Sequence, residues 1–114
     1  MQKIVEKIDH GMACSLIGFD GIAVGSFRKP DEKVDIEMMG AELSGLLNQL
    51  RRSSTAQEFG EPDEFFYSSD DIKVVFRIVT HEYFVALVMG PQGLVGKGRY
   101  LLKLADAGLK KELL

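Results

Sequence analysis

The sequence is poor in cysteine and has no long hydrophobic run. Its one cysteine, Cys14, excludes an intrachain disulfide and any zinc site built from several cysteines, which agrees with a reducing compartment. The longest apolar run, residues 83–89, is far shorter than the roughly 20 residues that a membrane-spanning helix requires. The N-terminus lacks the basic and then apolar layout of a signal peptide. We therefore expect a cytoplasmic protein without a membrane span.

The sequence also lacks an excess of positive charge. Its formal net charge is −3 and its pI is near 5.4, whereas nucleic-acid binders generally concentrate basic residues on one face to neutralise phosphates. The content of 46% hydrophobic and 27% charged residues is that of an ordinary globular protein. The length suits one domain over residues 1–114 and leaves no room for a second. We therefore expect a protein as the partner and no nucleic acid.

What the sequence does contain is a regular succession of helix and strand patterns. Two apolar runs flank Gly18-Phe19-Asp20-Gly21, and this pattern predicts a hairpin because Asp and Gly tolerate the positive φ of tight turns. A long helix follows, with apolar residues at three- and four-residue steps. The predicted elements are helix 1–9, strands 13–17 and 22–27, helix 34–52, a connection over 53–64, strands 65–68, 73–80 and 83–89, a glycine-rich stretch 90–98, and a final amphipathic helix.

These elements predict an α/β protein of the α+β kind, in the order α-β-β-α-β-β-β-α. Because short hairpins join most of the strands, the five-stranded sheet should be antiparallel with helices on its faces. Strand 83–89 is apolar at every position, which suits a central strand covered on both sides. We expect a three-layer α-β-α sandwich, with the long middle helix on one face and the two terminal helices on the other.

The long helix carries two apolar stripes. The stripe expected to face the sheet comprises Ile36, Met39, Leu43, Leu46, Leu47 and Leu50. At about 100° per residue, a second and narrower stripe falls roughly opposite and comprises Val34, Met38, Ala41 and Gly45. Small and adaptable side chains of this kind let another helix approach closely. The alternative is that Val34 belongs to the helix start and that the other three are ordinary surface residues.

A short aromatic strand strengthens the first of these interpretations. Phe65, Phe66 and Tyr67 are consecutive and lie at a predicted sheet edge, where unpaired backbone groups invite a partner strand. We therefore predict a homodimer in which two copies pair helix to helix and edge to edge.

The tip of the hairpin is a second candidate surface. A large aromatic residue such as Phe19 at a turn either folds back onto the sheet or meets a partner, and the sequence leaves both possibilities open. If Phe19 and Ile22 project on either side of Asp20, they place a charge beside two apolar groups, which is the usual composition of a small binding hot spot. We predict Phe19, Asp20 and Ile22 as partner-binding residues, far from the dimer interface.

The glycine-rich stretch 90–98 has the setting of a phosphate-binding loop, because it follows a strand and opens a helix. Pro91 replaces the required first glycine, and Gly98 stands where the magnesium-binding Ser or Thr belongs. We therefore predict a flexible crossover with a helix-start turn rather than a nucleotide site.

The isolated cysteine and histidines also do not indicate a catalytic or metal site. Cys14 lies in an apolar strand without an activating partner, which favours a packed thiol over a nucleophile. His10 and His81 adjoin turns and do not have the spacing of metal ligands. We expect no catalytic residue, no cofactor and no metal.

Three segments together resemble the roadblock (dynein light chain) domain family, and the resemblance covers nearly the full length. They are the hairpin 16–22, the long second helix with small outer residues, and the entry into the last helix at 93–102. The resemblance implies a roadblock/profilin-like fold. It also implies a homodimer in which the second helices pair and the third strands join two sheets, with Met38, Ala41, Gly45 and residues 65–67 at the interface.

The family resemblance also implies a function. Bacterial members regulate Ras-like GTPases of gliding-motility and polarity modules, some by binding the GTPase and promoting hydrolysis, others by binding a sister roadblock protein. We therefore expect a non-catalytic, homodimeric adaptor in such a module. The alternative is a small-molecule sensor or an enzyme on a similar sandwich, which would need an internal cavity with convergent polar groups, for example around Cys14, His10 or His81.

Overall fold

The computed structural model describes residues 1–113 and contains a five-stranded antiparallel sheet with helices on both faces. The strands lie in the order β2-β1-β5-β4-β3, so that β2 and β3 are the edges. Along the chain the elements are α1 (Gln2–Lys7), β1 (Gly11–Gly18), β2 (Ala23–Arg28), α2 (Ile36–Arg51), α3 (Ser54–Phe59), β3 (Glu64–Ser68), β4 (Lys73–Ile78), β5 (Tyr83–Met89) and α4 (Val95–Glu112). The predicted α+β class, the antiparallel sheet and its strand count are confirmed.

The sheet separates two hydrophobic cores. One core lies between the sheet and helices α1 and α4, and the other lies between the sheet and α2. The central strand β5 contributes to both, because Val85 and Leu87 face the first core while Phe84 and Ala86 face the second. The predicted three layers, with the long helix on one face and the terminal helices on the other, are confirmed.

The segment 53–64, predicted to be a connection, contains the short helix α3. Ser53 caps this helix by accepting a hydrogen bond from the Ala56 backbone N–H at 3.2 Å. Gly60 ends the helix with a φ of 98°. Only Ala56 is buried, so the segment has no apolar periodicity that would have indicated a helix.

Helix α2 is rotated relative to the prediction. Its buried positions are Ile36, Gly40, Ser44 and Leu47, whereas Leu46 and Leu50 are 60% and 41% exposed. Gly40 explains the rotation, because a Cβ atom there would collide with the side chain of Ile17 in the sheet. The helix therefore contacts the sheet through the small residues Gly40 and Ser44 as well as through Ile36 and Leu47. The prediction that Leu46 and Leu50 face inward is wrong. Within residues 1–113, no helix has the length and apolarity needed to cross a membrane.

Candidate interaction surfaces

The outer face of α2 is apolar and open. Met38 is 58% exposed, Ala41 is exposed, and a Cβ atom on Gly45 would meet no atom within 4 Å. Leu46 and Leu50 add to this surface because of the rotation of the helix. The exposed apolar area on α2 is therefore larger than predicted, and apolar surface of this kind is typical of protein contacts.

An apolar groove runs beside this face, between α2 and the end of the sheet formed by β3 and β4. Its volume is about 390 Å³. Its lining is mainly aliphatic and aromatic and includes Met38, Leu43, Leu46, Tyr67 and Ile72. The outer face of α2 and this groove are called the α2 surface below.

Strand β3 borders the α2 surface and has a free edge. It pairs with β4 on one side, and the described part of the chain pairs with nothing on the other. Phe66 and Tyr67 are 60% and 51% exposed. An unpaired edge beside an apolar helix face can accept a strand and a helix from the same partner.

Two of the residues predicted at the dimer interface are partly buried and pack against the core, and one of them, Val34, also lines the apolar groove. Val34 precedes the helix, whose N-cap is Asp35, and it packs against the core beneath α2. Phe65 also packs against that core, with its ring 5.3 Å from the ring of Phe76. The expectation that Val34 lies on the outer helix stripe is therefore wrong, because the helix begins after it.

The hairpin tip between β1 and β2 is a tight turn. The Asp20 carboxylate accepts a hydrogen bond from the Ile22 backbone N–H at 2.9 Å, and Gly21 has a φ of 89°. Ile22 is 64% exposed, and Val24, which the β1–β2 register skips, is 55% exposed. Sequence reasoning identified Ile22 and missed Val24, because a β-bulge changes which side chains project.

Phe19 does not project. Its ring lies 5.1 Å from the Phe84 ring, and its backbone is held by a bond from its N–H to the Glu82 carbonyl and one from the Asn48 amide to its own carbonyl, both 2.9 Å. Of the two possibilities that the sequence left open, the structure shows that Phe19 folds back onto the sheet. The projecting part of the tip consists of Asp20 and Ile22.

Arg51, at the end of α2, holds the tip in place. Its guanidinium carbon lies 3.9 Å from the centre of the Phe19 ring. The same guanidinium donates to the His81 backbone carbonyl at 2.9 Å and lies 3.6 Å from the Glu61 carboxylate. These groups line an open cleft of about 450 Å³ beside the tip. Sequence reasoning missed Arg51 because its contacts lie far away along the chain.

The tip and α2 are neighbours. A Cβ atom built on Gly21 would lie 3.5 Å from the Ala41 Cα atom and 3.4 Å from the Ser44 hydroxyl oxygen. The expectation that the tip lies far from the predicted dimer interface is therefore wrong, although β2 and β3 do form opposite edges of the sheet. Helix α2 crosses the sheet and brings the two surfaces together.

The reactive side chains do not form a catalytic or metal site within the described residues. Cys14 is fully buried, and burial raises the pKa of its thiol to about 12, so the nucleophilic thiolate is disfavoured. Residues 1–113 contain no group of three or more His, Cys, Asp or Glu side chains that could hold a metal ion. Cys14 lines none of the clefts described here, and the clefts beside His10 and His81 are open surface grooves.

The glycine-rich stretch consists of a turn and the first residues of α4. A Cβ atom on Gly98 would lie 3.2 to 3.4 Å from side chains of Met89, Leu87 and Val75. The Lys73 ammonium donates to the Gly93 carbonyl at 3.2 Å. Gly93 and Gly98 allow the chain to pack closely on the sheet as α4 begins, whereas a Cβ atom on Gly96 would meet no atom within 4 Å. The predicted turn at the start of the helix is present, and close packing of Gly93 and Gly98 takes the place of the predicted flexibility.

Several solved structures resemble this chain over nearly its whole length. MglC from Myxococcus xanthus has 32% sequence identity over 98% of this chain and 94% of that chain, with a TM-score of 0.69. A Roadblock/LC7 domain from Streptomyces avermitilis has 19% identity over 99% and 93% of the two chains, with a TM-score of 0.82. Myxococcus xanthus MglB has 16% identity over 99% and 96%, with a TM-score of 0.77. No family model and no curated protein sequence matches the chain.

Proposed function

This chain belongs to the roadblock family as an MglC- and MglB-like domain, and we propose on that basis that it is a non-catalytic, homodimeric adaptor. In this proposal residues 1–114 form one roadblock-type domain that works in a cytoplasmic polarity or motility module. It regulates a Ras-like GTPase by binding either the GTPase or a sister roadblock protein. The observation that carries the proposal is the contiguity of the apolar α2 face with the free edge of β3.

A homodimer formed through α2 and β3 would cover the apolar α2 face and pair the free β3 edge. Pairing of two β3 edges would supply backbone partners for both strands and extend the sheet from one copy into the other. The α2 helices would then face each other, and the lack of a side chain at Gly45 would allow close contact. Met38 and Leu46, each more than half exposed, would be removed from water, which is the main source of association free energy.

The Gly45→Glu variant tests the dimer. We expect the wild-type protein to sediment as a dimer and the variant as a monomer, because a glutamate at the interface would be buried without a partner. Gly108→Glu is the matched control, since Gly108 is also an exposed helical glycine with no atom near a Cβ position, but on α4. In both variants glutamate is the better helix former by up to ~1 kcal/mol, so neither should lose its fold.

Sedimentation velocity distinguishes the possible outcomes. A wild-type monomer, or a Gly45→Glu protein that remains a dimer, would contradict the proposed interface. Loss of the dimer in Gly108→Glu alone would move the interface to the opposite face of the sheet.

The partner surface proposed here is the hairpin tip. Asp20 and Ile22 project beside the α2 surface, so a partner could contact the tip and the edge of the paired helices together. Phe19 supports the tip from below, through Phe84 and Arg51. A small apolar group next to a fixed charge is the usual composition of an interface hot spot.

A further inference from the structure

The exposed face of α4 is basic, although the protein as a whole is acidic. The chain has 14 basic and 17 acidic residues, and α4 carries five of the basic residues but only two of the acidic ones. One of its acids, Asp106, lies between two cations, at 3.2 Å from Arg77 and 2.9 Å from Lys110. Lys97 and Lys103 are exposed, and within residues 1–113 neither forms an ion pair.

Two large apolar side chains lie among these cations. Tyr100 and Leu104 are 61% and 62% exposed. They are four residues apart, so they share one face of the helix, and Lys97 and Lys103 flank Tyr100 at three residues on either side. The opposite face of α4, with Leu102 and Leu109, is buried against the sheet. The exposed apolar pair is therefore additional to what packing of the helix requires.

A cleft beside Tyr100 adds a recess to this face. It has a volume of about 440 Å³ and lies between α4 and the start of β3. Arg99 and Lys103 belong to its wall, together with Arg77 and the acids Asp63 and Glu64. Glu64 is already engaged by Arg99 and by Arg77. Lys103 is therefore the available cation at the rim of the recess.

We propose that this face of α4 docks an acidic, amphipathic segment of a partner protein. Tyr100 and Leu104 would contact its apolar residues, and Lys97 and Lys103 would pair with its carboxylates. Apolar centres with complementary charges at the rim are the usual arrangement of protein interfaces. The α4 surface is defined here as Lys97, Arg99, Tyr100, Lys103 and Leu104.

The charge pattern favours a protein over a phosphate-rich partner. Glu64 and Asp63 lie within the same cleft as the cations, and the net charge of the chain is −3. A nucleic acid or an anionic membrane presents a dense field of negative charge, which the interspersed acids would repel. A protein segment can match individual charges and also cover the two apolar side chains.

This proposal does not rest on the proposed dimer or on the hairpin tip, although Arg99 contacts Glu64 at the start of β3. Helix α4 packs on the face of the sheet opposite to α2, as the two separate cores show. A partner on the α4 surface can therefore bind without displacing a partner on the α2 face.

Fluorescence anisotropy with a labelled amphipathic peptide tests the proposal. The probe carries glutamates on either side of a leucine stripe, and a second peptide has glutamine at every glutamate position. We expect the full chain to bind the first peptide, with affinity on the order of tenfold lower for Lys97→Glu/Lys103→Glu and for Tyr100→Ala/Leu104→Ala. Binding should also weaken as salt screens the rim charges.

Lys3→Glu/Lys33→Glu is the matched control, because it changes the net charge equally at two exposed lysines outside α4. Equal loss of binding in this control would overturn the proposal, as would equal binding of the glutamine peptide. Tighter binding to vesicles of phosphatidylglycerol or to duplex DNA than to the acidic peptide would overturn it in favour of a phosphate ligand. These results do not depend on whether the Gly45→Glu test finds a dimer.

Discussion

Arg51 connects three segments that are far apart in the sequence. Its guanidinium covers Phe19 from the hairpin, donates to the His81 carbonyl in the β4–β5 turn and approaches Glu61 after α3. Its side chain is only 10% exposed, so these interactions take place with limited access to water. Buried arginine contacts of this kind are worth more than exposed ion pairs, which contribute little.

Replacement of Arg51 by methionine should therefore destabilise the protein. We expect a loss of about 1 to 2 kcal/mol in the free energy of unfolding, because Phe19 loses its cation and the His81 carbonyl loses a donor. Urea denaturation measures this value. Arg52→Met is the control, since Arg52 is exposed and lacks hydrogen bonds or ion pairs from its side chain within the described residues, and it should change stability by less than about 0.5 kcal/mol. Similar losses in the two variants would contradict the role of Arg51.

At the scale of the element, some residues of the hairpin turn stabilise it, whereas others are exposed and available to a partner. Asp20 and Gly21 fix the turn, Phe19 packs against the core, and Ile22 is left exposed. The Gly-Phe-Asp-Gly motif is compatible with either direction of the Phe19 side chain. Packing against Phe84 determines which direction it takes.

Changes in the hairpin should accordingly separate binding from stability. Asp20→Asn with Ile22→Ala retains the turn hydrogen bond but removes the charge and the apolar contact, so partner affinity should fall on the order of tenfold with little change in melting temperature. Phe19→Ala should instead lower the unfolding free energy by about 2 kcal/mol or more, because it leaves a cavity beside Phe84. Binding is measured by titration against the purified sister roadblock protein and against the GTPase in both nucleotide states.

Leu94→Ala serves as the control for the double variant, because Leu94 is 66% exposed and lies at the start of α4 on the other face. Unchanged affinity of the Asp20→Asn/Ile22→Ala protein for both partners would move the partner surface to the paired α2 helices.

At the scale of the whole molecule, one sheet presents different surfaces on its two faces. The α2 face is apolar and borders the free β3 edge, whereas the α4 face is basic with two exposed apolar side chains. In the proposed dimer, part of the apolar surface of each copy is covered by the other. Folding and association would then be thermodynamically linked.

This linkage predicts a melting temperature that depends on protein concentration. For the wild-type protein we expect a rise of roughly 3 °C for each tenfold increase in concentration, because mass action favours the dimer. The melting temperature of Gly45→Glu should be independent of concentration and lower than that of the wild type. Scanning calorimetry at several concentrations measures both, and a constant wild-type melting temperature would contradict linked association.

The sequence by itself determined the fold class, the number of strands and the distribution of helices between the two faces. These features follow from apolar periodicity and turn chemistry, which are local properties of the chain. The same reasoning located Met38, Ala41 and Gly45 on the outer side of α2, since helical periodicity places them together. It failed at α3, where six residues contain a single buried anchor, Ala56.

Only the tertiary structure decided how these elements meet. The contact of Gly40 with Ile17 sets the rotation of α2 and so exposes Leu46 and Leu50. Packing against Phe84 and Arg51 turns Phe19 inward, through contacts that join residues more than 30 positions apart. Periodicity states which residues share a face of one element, but the direction of that face depends on the shapes of side chains from other elements, which no local pattern contains.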